Sequence, residues 1–140
     1  MAELHPMAVH LPIGVVLLYP WFELAGLLSR QRSLQFGAIG LLVVGVVASM
    51  FASATGEAAY DAAVAVGFEH ELLETHEVWS SKMPWALILV LSVRSFVGRE
   101  RARLASWLGF GLGLALIGLV LMVGYTGGQL TYGHGVGVAP

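Results

Sequence analysis

Five histidines carry most of the chemistry this chain offers: His5, His10, His70, His76 and His134. Cysteine is absent, which excludes disulfides, thiolate metal sites and haem attached through CxxCH. Imidazole then remains as the strongest metal-binding side chain, and it suits zinc, copper and iron. The stretch HELLETHE looks at first like the zinc-protease pattern HExxH. That pattern needs a second histidine four positions on, on the same helical face. Glu74 stands there instead, and the next histidine is His76. On a helix His70 and His76 would point about 120° apart, and His5 and His10 about 140° apart. The Glu-x-x-His pattern of carboxylate-bridged iron bundles fails too, because Gly67 and Leu73 occupy the glutamate positions.

No two histidines therefore share a helical face at ligand spacing, so a metal must be gripped between elements. Bis-histidine ligation of haem has this form, with imidazoles approaching the iron from opposite sides. The donors lie at the start of the first apolar run, before the third, and after the fourth. They could serve one or two b haems. The expected axial pairs are His10 with His76 and His5 with His134, with His70 spare or an alternative ligand. Trp79, Trp85 and Phe68 are expected to cover the group. Lys82 is the one basic residue near these histidines that could meet a propionate. Tyr60, Tyr125, Tyr132, Gln129 and backbone amides of the glycine-rich tail, Gly128 among them, are the substitutes. Copper or zinc held with Glu71, Glu74 or Asp61 is the alternative. A third reading is an accessory subunit whose histidines cap an interface.

These side chains must be placed by a membrane-embedded scaffold. Of 140 residues, 57% are hydrophobic and 11% charged, against roughly a quarter charged in a soluble domain. A crossing needs about 20 apolar residues. Four runs qualify: Met7 to Leu28, Phe36 to Ala54, Val78 to Val97 and Leu104 to Tyr125. The first run lacks a basic lead-in and three more follow, so it reads as a span rather than a signal peptide. All six arginines are assigned to the connections SRQRS and RSFVGRERAR, on one side, with Lys82 on the other. Cytoplasmic loops collect basic residues, which puts both termini, all five histidines and most carboxylates outside.

Within the spans, Gly109 and Gly113 have the GxxxG spacing of closely approaching helices. Pro12 and Pro20 suggest a kinked first span. Glu23 lies at membrane depth, where an ionisable group is costly, and within about two turns of Arg30 it reads as a carboxylate that either snorkels or pairs, with Arg30 the expected partner if it pairs. The connection 55–77, rich in Ala and Glu, reads as one or two short surface helices. In the tail, Leu130, Tyr132, Val136 and Val138 are spaced like residues that pack.

Two stretches resemble a known family. HPMAVHLPIGVVLL is similar to its HP-x-x-VH-hydrophobic-P opening, and GGQLTYGHGVGV to its GG-x-L-x-Y-x-HGVGV ending. The family is the bacterial membrane-domain family numbered 2231 among the domains of unknown function. The resemblance implies a four-helix membrane domain, and the cytochrome-like modules found beside some members imply a redox setting. It marks His5, Pro6, His10 and Pro12 at the start, and Gly127, Gly128, Tyr132, His134 and Gly135 at the end.

The expectation is an all-α integral membrane four-helix bundle, one domain, with both termini on the outer, periplasmic side of a bacterial inner membrane. Its expected role is a small b-type cytochrome that transfers electrons, not an enzyme by itself. The expected partners are membrane lipid, a quinol or an outer-side redox protein, and either a larger membrane complex or further copies of the chain. Nucleic acid is not among them.

Overall fold

The computed structural model describes residues 1–68 and 70–137. Glu69 of the outer connection and Val138 of the tail lie outside the described residues. A 3-10 turn, Ala2–Leu4, leads into α1 (His5–Ala8), and after a break at Val9 comes α2 (His10–Ser29). Then follow α3 (Arg32–Ala65), α4 (Glu71–Ser80), α5 (Met83–Glu100), α6 (Ala102–Gly128) and a π-helical turn, Gln129–Gly133. Pro6 and Pro84 stand in the first turns of α1 and α5, where a missing N–H costs nothing. Arg30 ends α2 in the left-handed conformation, φ 58°, which frees the chain to reverse.

The four long helices, α2, α3, α5 and α6, pack around Val16, Tyr19, Ala38, Leu42, Leu87, Val90, Leu116 and Val120. Their outer faces are just as apolar: Leu18, Trp21, Val47, Phe51, Trp85, Leu89, Trp107 and Leu121 are exposed. An apolar exterior around an apolar core is what lipid requires.

Among the described residues, three helical stretches are long and apolar enough to cross a membrane: Ala2–Ser29, Arg32–Ala65 and Ala102–Gly133. The expected third span differs. α5 has 18 residues, about 27 Å of rise, and includes Arg94, Arg99 and Glu100. Arg94 was expected in a connection, yet it is 4% exposed and inside α5. Only Arg101 separates α5 from α6. The outer connection changes too. α3 runs on to Ala65, so only α4 is a separate short helix. α2 continues through Pro20, and the break in the first segment falls at Val9 instead.

The tail packs as its spacing suggests, with one exception. Leu130 is buried with Ala63 and Leu73, and Val136 lies against them. Tyr132, by contrast, is 92% exposed, because the π turn swings its ring away from the bundle.

GxxxG sets the distance between α6 and α2. A Cβ on Gly113 would stand 3.0 Å from Pro20 Cβ and from the Tyr19 ring, whereas one on Gly111 would meet nothing within 4 Å. Gly113→Leu is therefore expected to cost about 1–3 kcal/mol through overpacking. Gly111→Leu should leave the melting temperature in detergent unchanged. Equal melting of the two variants would refute this packing account.

Candidate ligand site at the histidine end of the bundle

Two histidines are built into the helix packing in the same way. His5, at the start of α1, places Nδ1 3.1 Å from the Ala52 carbonyl and 3.3 Å from Thr55 Oγ1. His76, in α4, places Nδ1 2.9 Å from Thr126 Oγ1. Each ring rests on a glycine. A Cβ on Gly56 would stand 2.9 Å from His5 Cε1, and a Cβ on Gly127 would stand 2.9 Å from His76 Cε1.

The hydrogen bonds fix the tautomers by elimination. A carbonyl can only accept, so His5 Nδ1 must carry the proton. Thr126 spends its own hydroxyl proton on the carbonyls of Met122 and Val123, so it can only accept from His76 Nδ1–H. Thr55 likewise spends its proton on the Ala52 carbonyl. Both rings are therefore Nδ1–H imidazoles with a bare lone pair on Nε2. A metal-ligating histidine takes this form, its outer N–H held by an oxygen that fixes the ring and raises its basicity. Burial lowers the His76 pKa below the usual histidine range, and a charge on His5 lowers it further. His76 therefore stays neutral near pH 7.

The other three histidines are placed differently. His70 caps the N-terminus of α4, its Nδ1 accepting from Leu72 N–H at 3.0 Å. Its lone pair is thus used at Nδ1, the opposite of His5 and His76. His134 lies beside it, ring centroids 4.7 Å apart, and Phe68 stacks on His70 and meets His134 edge-on. His10 is exposed at the start of α2.

The structure thus sets His134 beside His70 and gives His5 and His76 matching seats on α3 and α6. The expected division was His10 with His76 and His5 with His134. It rested on reach alone and took no account of which nitrogen each ring has free. The expected aromatic cover also differs: Trp79 and Trp85 are 39% and 71% exposed, and Phe68 belongs to the His70 cluster. Lys82 is exposed, its Nζ 4.1 Å from the Trp79 ring centroid. Gly128 is half-buried, and a Cβ built there would meet nothing within 4 Å among the described residues.

A second polar group lies deeper in the bundle. Glu23, fully buried, accepts from Arg94 Nε at 2.6 Å and from the Tyr19 hydroxyl at 3.3 Å. Glu23 Oε2 and Ser106 Oγ are buried without a partner. The expected partner Arg30 is instead at the exposed end of α2.

Sequence reading named Gly127 only through the family ending, and it missed Thr55, Gly56 and Thr126. A signal was available: Thr-Gly occurs at Thr55-Gly56 and again at Thr126-Gly127, each 50 positions after its histidine.

Fold and exterior define a helical membrane protein with its histidines at one end, basic reversals at the other and a buried ion pair between. The chain belongs to the family described as Predicted membrane protein (DUF2231), whose model matches residues 2–140. No match was found among curated proteins or among solved structures.

Proposed function

We propose that the chain is a small b-type membrane cytochrome, holding one haem between His5 and His76 for electron transfer near the outer face. The observation that carries this reading is the pair of imidazoles with matched tautomers. Both have Nδ1–H anchored on the protein and Nε2 bare, and each comes from a different element. Haem brings four nitrogens of its own and needs only two axial ligands. Zinc ordinarily takes three or four protein ligands. Among the described residues, no group of three or more His, Cys, Asp or Glu could hold a metal ion. The donor set therefore fits haem better than the copper or zinc alternative. A second haem is less well supported, because His70 spends its lone pair on the α4 cap.

When bound, the group supplies a one-electron ferric–ferrous couple. The chain's own contribution is placement. Gly56 and Gly127 leave room for the rings, and Ala52, Thr55 and Thr126 hold Nδ1–H so that Nε2 cannot turn away. The reversals between helices carry Arg30, Arg32, Arg101 and Arg103, and basic reversals favour the cytoplasm. The histidine end then faces outward. Glu3, Glu57, Asp61, Glu71, Glu74 and Glu77 are all exposed there, a surface suited to a basic redox carrier. The electron would come from a quinol or from a neighbouring subunit in the same membrane.

The test is a reduced-minus-oxidised optical spectrum of the detergent-purified chain, made with ample haem, together with a pyridine haemochrome count. One b haem per chain with sharp low-spin α and β bands is expected. A featureless spectrum would sink the proposal and leave an accessory-subunit role.

A further inference from the structure

The two anchored histidines are equivalent by position as well as by chemistry. Adding 71 to a position in the first half of the chain gives its counterpart in the second. His5 becomes His76, Thr55 becomes Thr126, and Gly56 becomes Gly127. The same shift carries buried residues onto buried residues: Val16 onto Leu87, Tyr19 onto Val90, Leu42 onto Gly113 and Gly45 onto Leu116. It carries the last residue of α2, Ser29, onto the last residue of α5, Glu100, and the reversal at Arg30 onto the reversal at Arg101. It also carries the break at Val9 onto the end of α4 at Ser80. Each half is thus a short helix, a break, a long helix, a tight reversal and a long returning helix.

Contacts place the axis that relates the halves. In a two-fold arrangement a residue touches its own counterpart only where the axis passes. Glu23 and Arg94 are counterparts under the 71-residue shift, and they meet at 2.6 Å. His5 and His76 are counterparts, and His5 stands near enough for its charge to act on His76. One pair lies deep in the bundle and the other at its histidine end, so the line through them runs along the helices. Even-numbered membrane repeats give this geometry, with an axis along the membrane normal. At the deep end the symmetry is broken in charge. Two copies of the first half would set Glu against Glu, and two copies of the second Arg against Arg. The halves are complementary to each other and not to themselves.

We infer that the chain is two copies of one helical hairpin about a two-fold axis. His5 and His76 meet on that axis as equivalent ligands of a single bound group, each aimed by its own threonine, Thr55 or Thr126. This rests on the haem reading for the identity of the group but not for the paired seats. Thr55 and Thr126 are positioning residues: their oxygens hold Nδ1–H, and through it they set how strongly Nε2 donates. Each seat also offers a backbone carbonyl three positions before its threonine, that of Ala52 to His5 and that of Val123 to His76, and these two residues are themselves counterparts under the shift.

Thr55→Val and Thr126→Val, with Thr126→Ser as the conservative control, test this in the full chain by two readouts. The first is the midpoint potential of the haem-loaded protein. Weaker Nδ1–H bonds make weaker donors and favour the ferrous state, so the potential should rise in both valine variants. The rise should be similar at the two positions, since each ring keeps a backbone carbonyl, and Thr126→Ser should restore the wild-type value. A shift in one valine variant only, or shifts of opposite sign, would overturn the equivalence. The second readout is the histidine-selective 15N spectrum of the haem-free chain. Protonated Nδ1 signals from both His5 and His76 are expected, that of His76 moving in Thr126→Val and returning to its wild-type position in Thr126→Ser. Absence of either signal from the wild-type spectrum would overturn the paired seats. A chain that takes up no haem would defeat the cytochrome reading alone, and the 15N spectrum would still decide the geometry.

Discussion

Arg94→Leu is expected to destabilise the bundle by about 3–5 kcal/mol, the usual cost of removing one partner from a buried ion pair. Glu23 is fully buried, and Arg94 is 4% exposed. The Arg94 Nε–H donates to Glu23 Oε1 at 2.6 Å, while the Tyr19 hydroxyl gives a longer bond to the same oxygen at 3.3 Å. Oε2 has no partner. Without the guanidinium, the carboxylate must either stay charged in an apolar site or take up a proton, and both are unfavourable. The site is also shaped for arginine. A Cβ on Gly98 would stand 2.9 Å from Arg94 Nη1, and one on Gly109 would stand 3.3 Å from Arg94 Cδ. Leucine would leave that space unfilled.

Replacing both partners should be milder than replacing one. Glu23→Leu with Arg94→Leu removes both charges, and buried pairs exchanged for apolar groups are often neutral in stability. A double-mutant cycle read by thermal unfolding in detergent separates the pair from the surrounding packing. Additive single effects, or an Arg94→Leu chain as stable as the parent, would show that the pair does not hold the halves together.

The ion pair also shows what could be read from sequence and what could not. Glu23 stood out because a carboxylate in an apolar run is costly wherever it points. Its partner did not, because Arg30 is close in sequence, whereas Arg94 comes close only when α2 and α5 each pack against α3 and α6 and face one another across the bundle. The family, the helical class and the membrane setting were legible because hydropathy and the terminal motifs are local. The helix ends were less so: the apolar run stops at Ala54, but the alanine-rich stretch after it keeps the helix going to Ala65. The histidines stood out as candidate ligands, whereas the way each ring is held did not. How a ring is held depends on which of its nitrogens is already engaged, and that depends on Ala52, Thr55, Leu72 and Thr126. None of these looks like a ligand residue. Thr-Gly recurring at one spacing from a histidine was the available clue, obscured because the halves share few other residue types.

The second large effect is expected at the histidines themselves. His5→Ala and His76→Ala should each abolish the low-spin b-type spectrum, whereas His10→Ala, His70→Ala and His134→Ala should retain it. Loss of an outer-sphere partner alone typically costs about 10–100-fold in metal affinity, and loss of an axial ligand should cost more. His10 is exposed at a helix start, so it has no packed seat to lose. His70→Ala should weaken the α4 cap, lost with Leu72 N–H, by about 0.5–2 kcal/mol and lower stability without changing the bands. Gly127→Val sharpens the test because it leaves every ligand in place. Its Cβ would press within 2.9 Å of His76 Cε1, so the ring must leave its seat. Haem content in that variant should fall towards that of His76→Ala. If Gly127→Val keeps a full low-spin spectrum while His134→Ala loses it, the axial pair is not His5 with His76 and the tail histidine is a ligand after all. Added imidazole supplies the complementary reading. It should restore low-spin bands to His5→Ala and His76→Ala alike, because each variant keeps one anchored imidazole on its own half of the bundle.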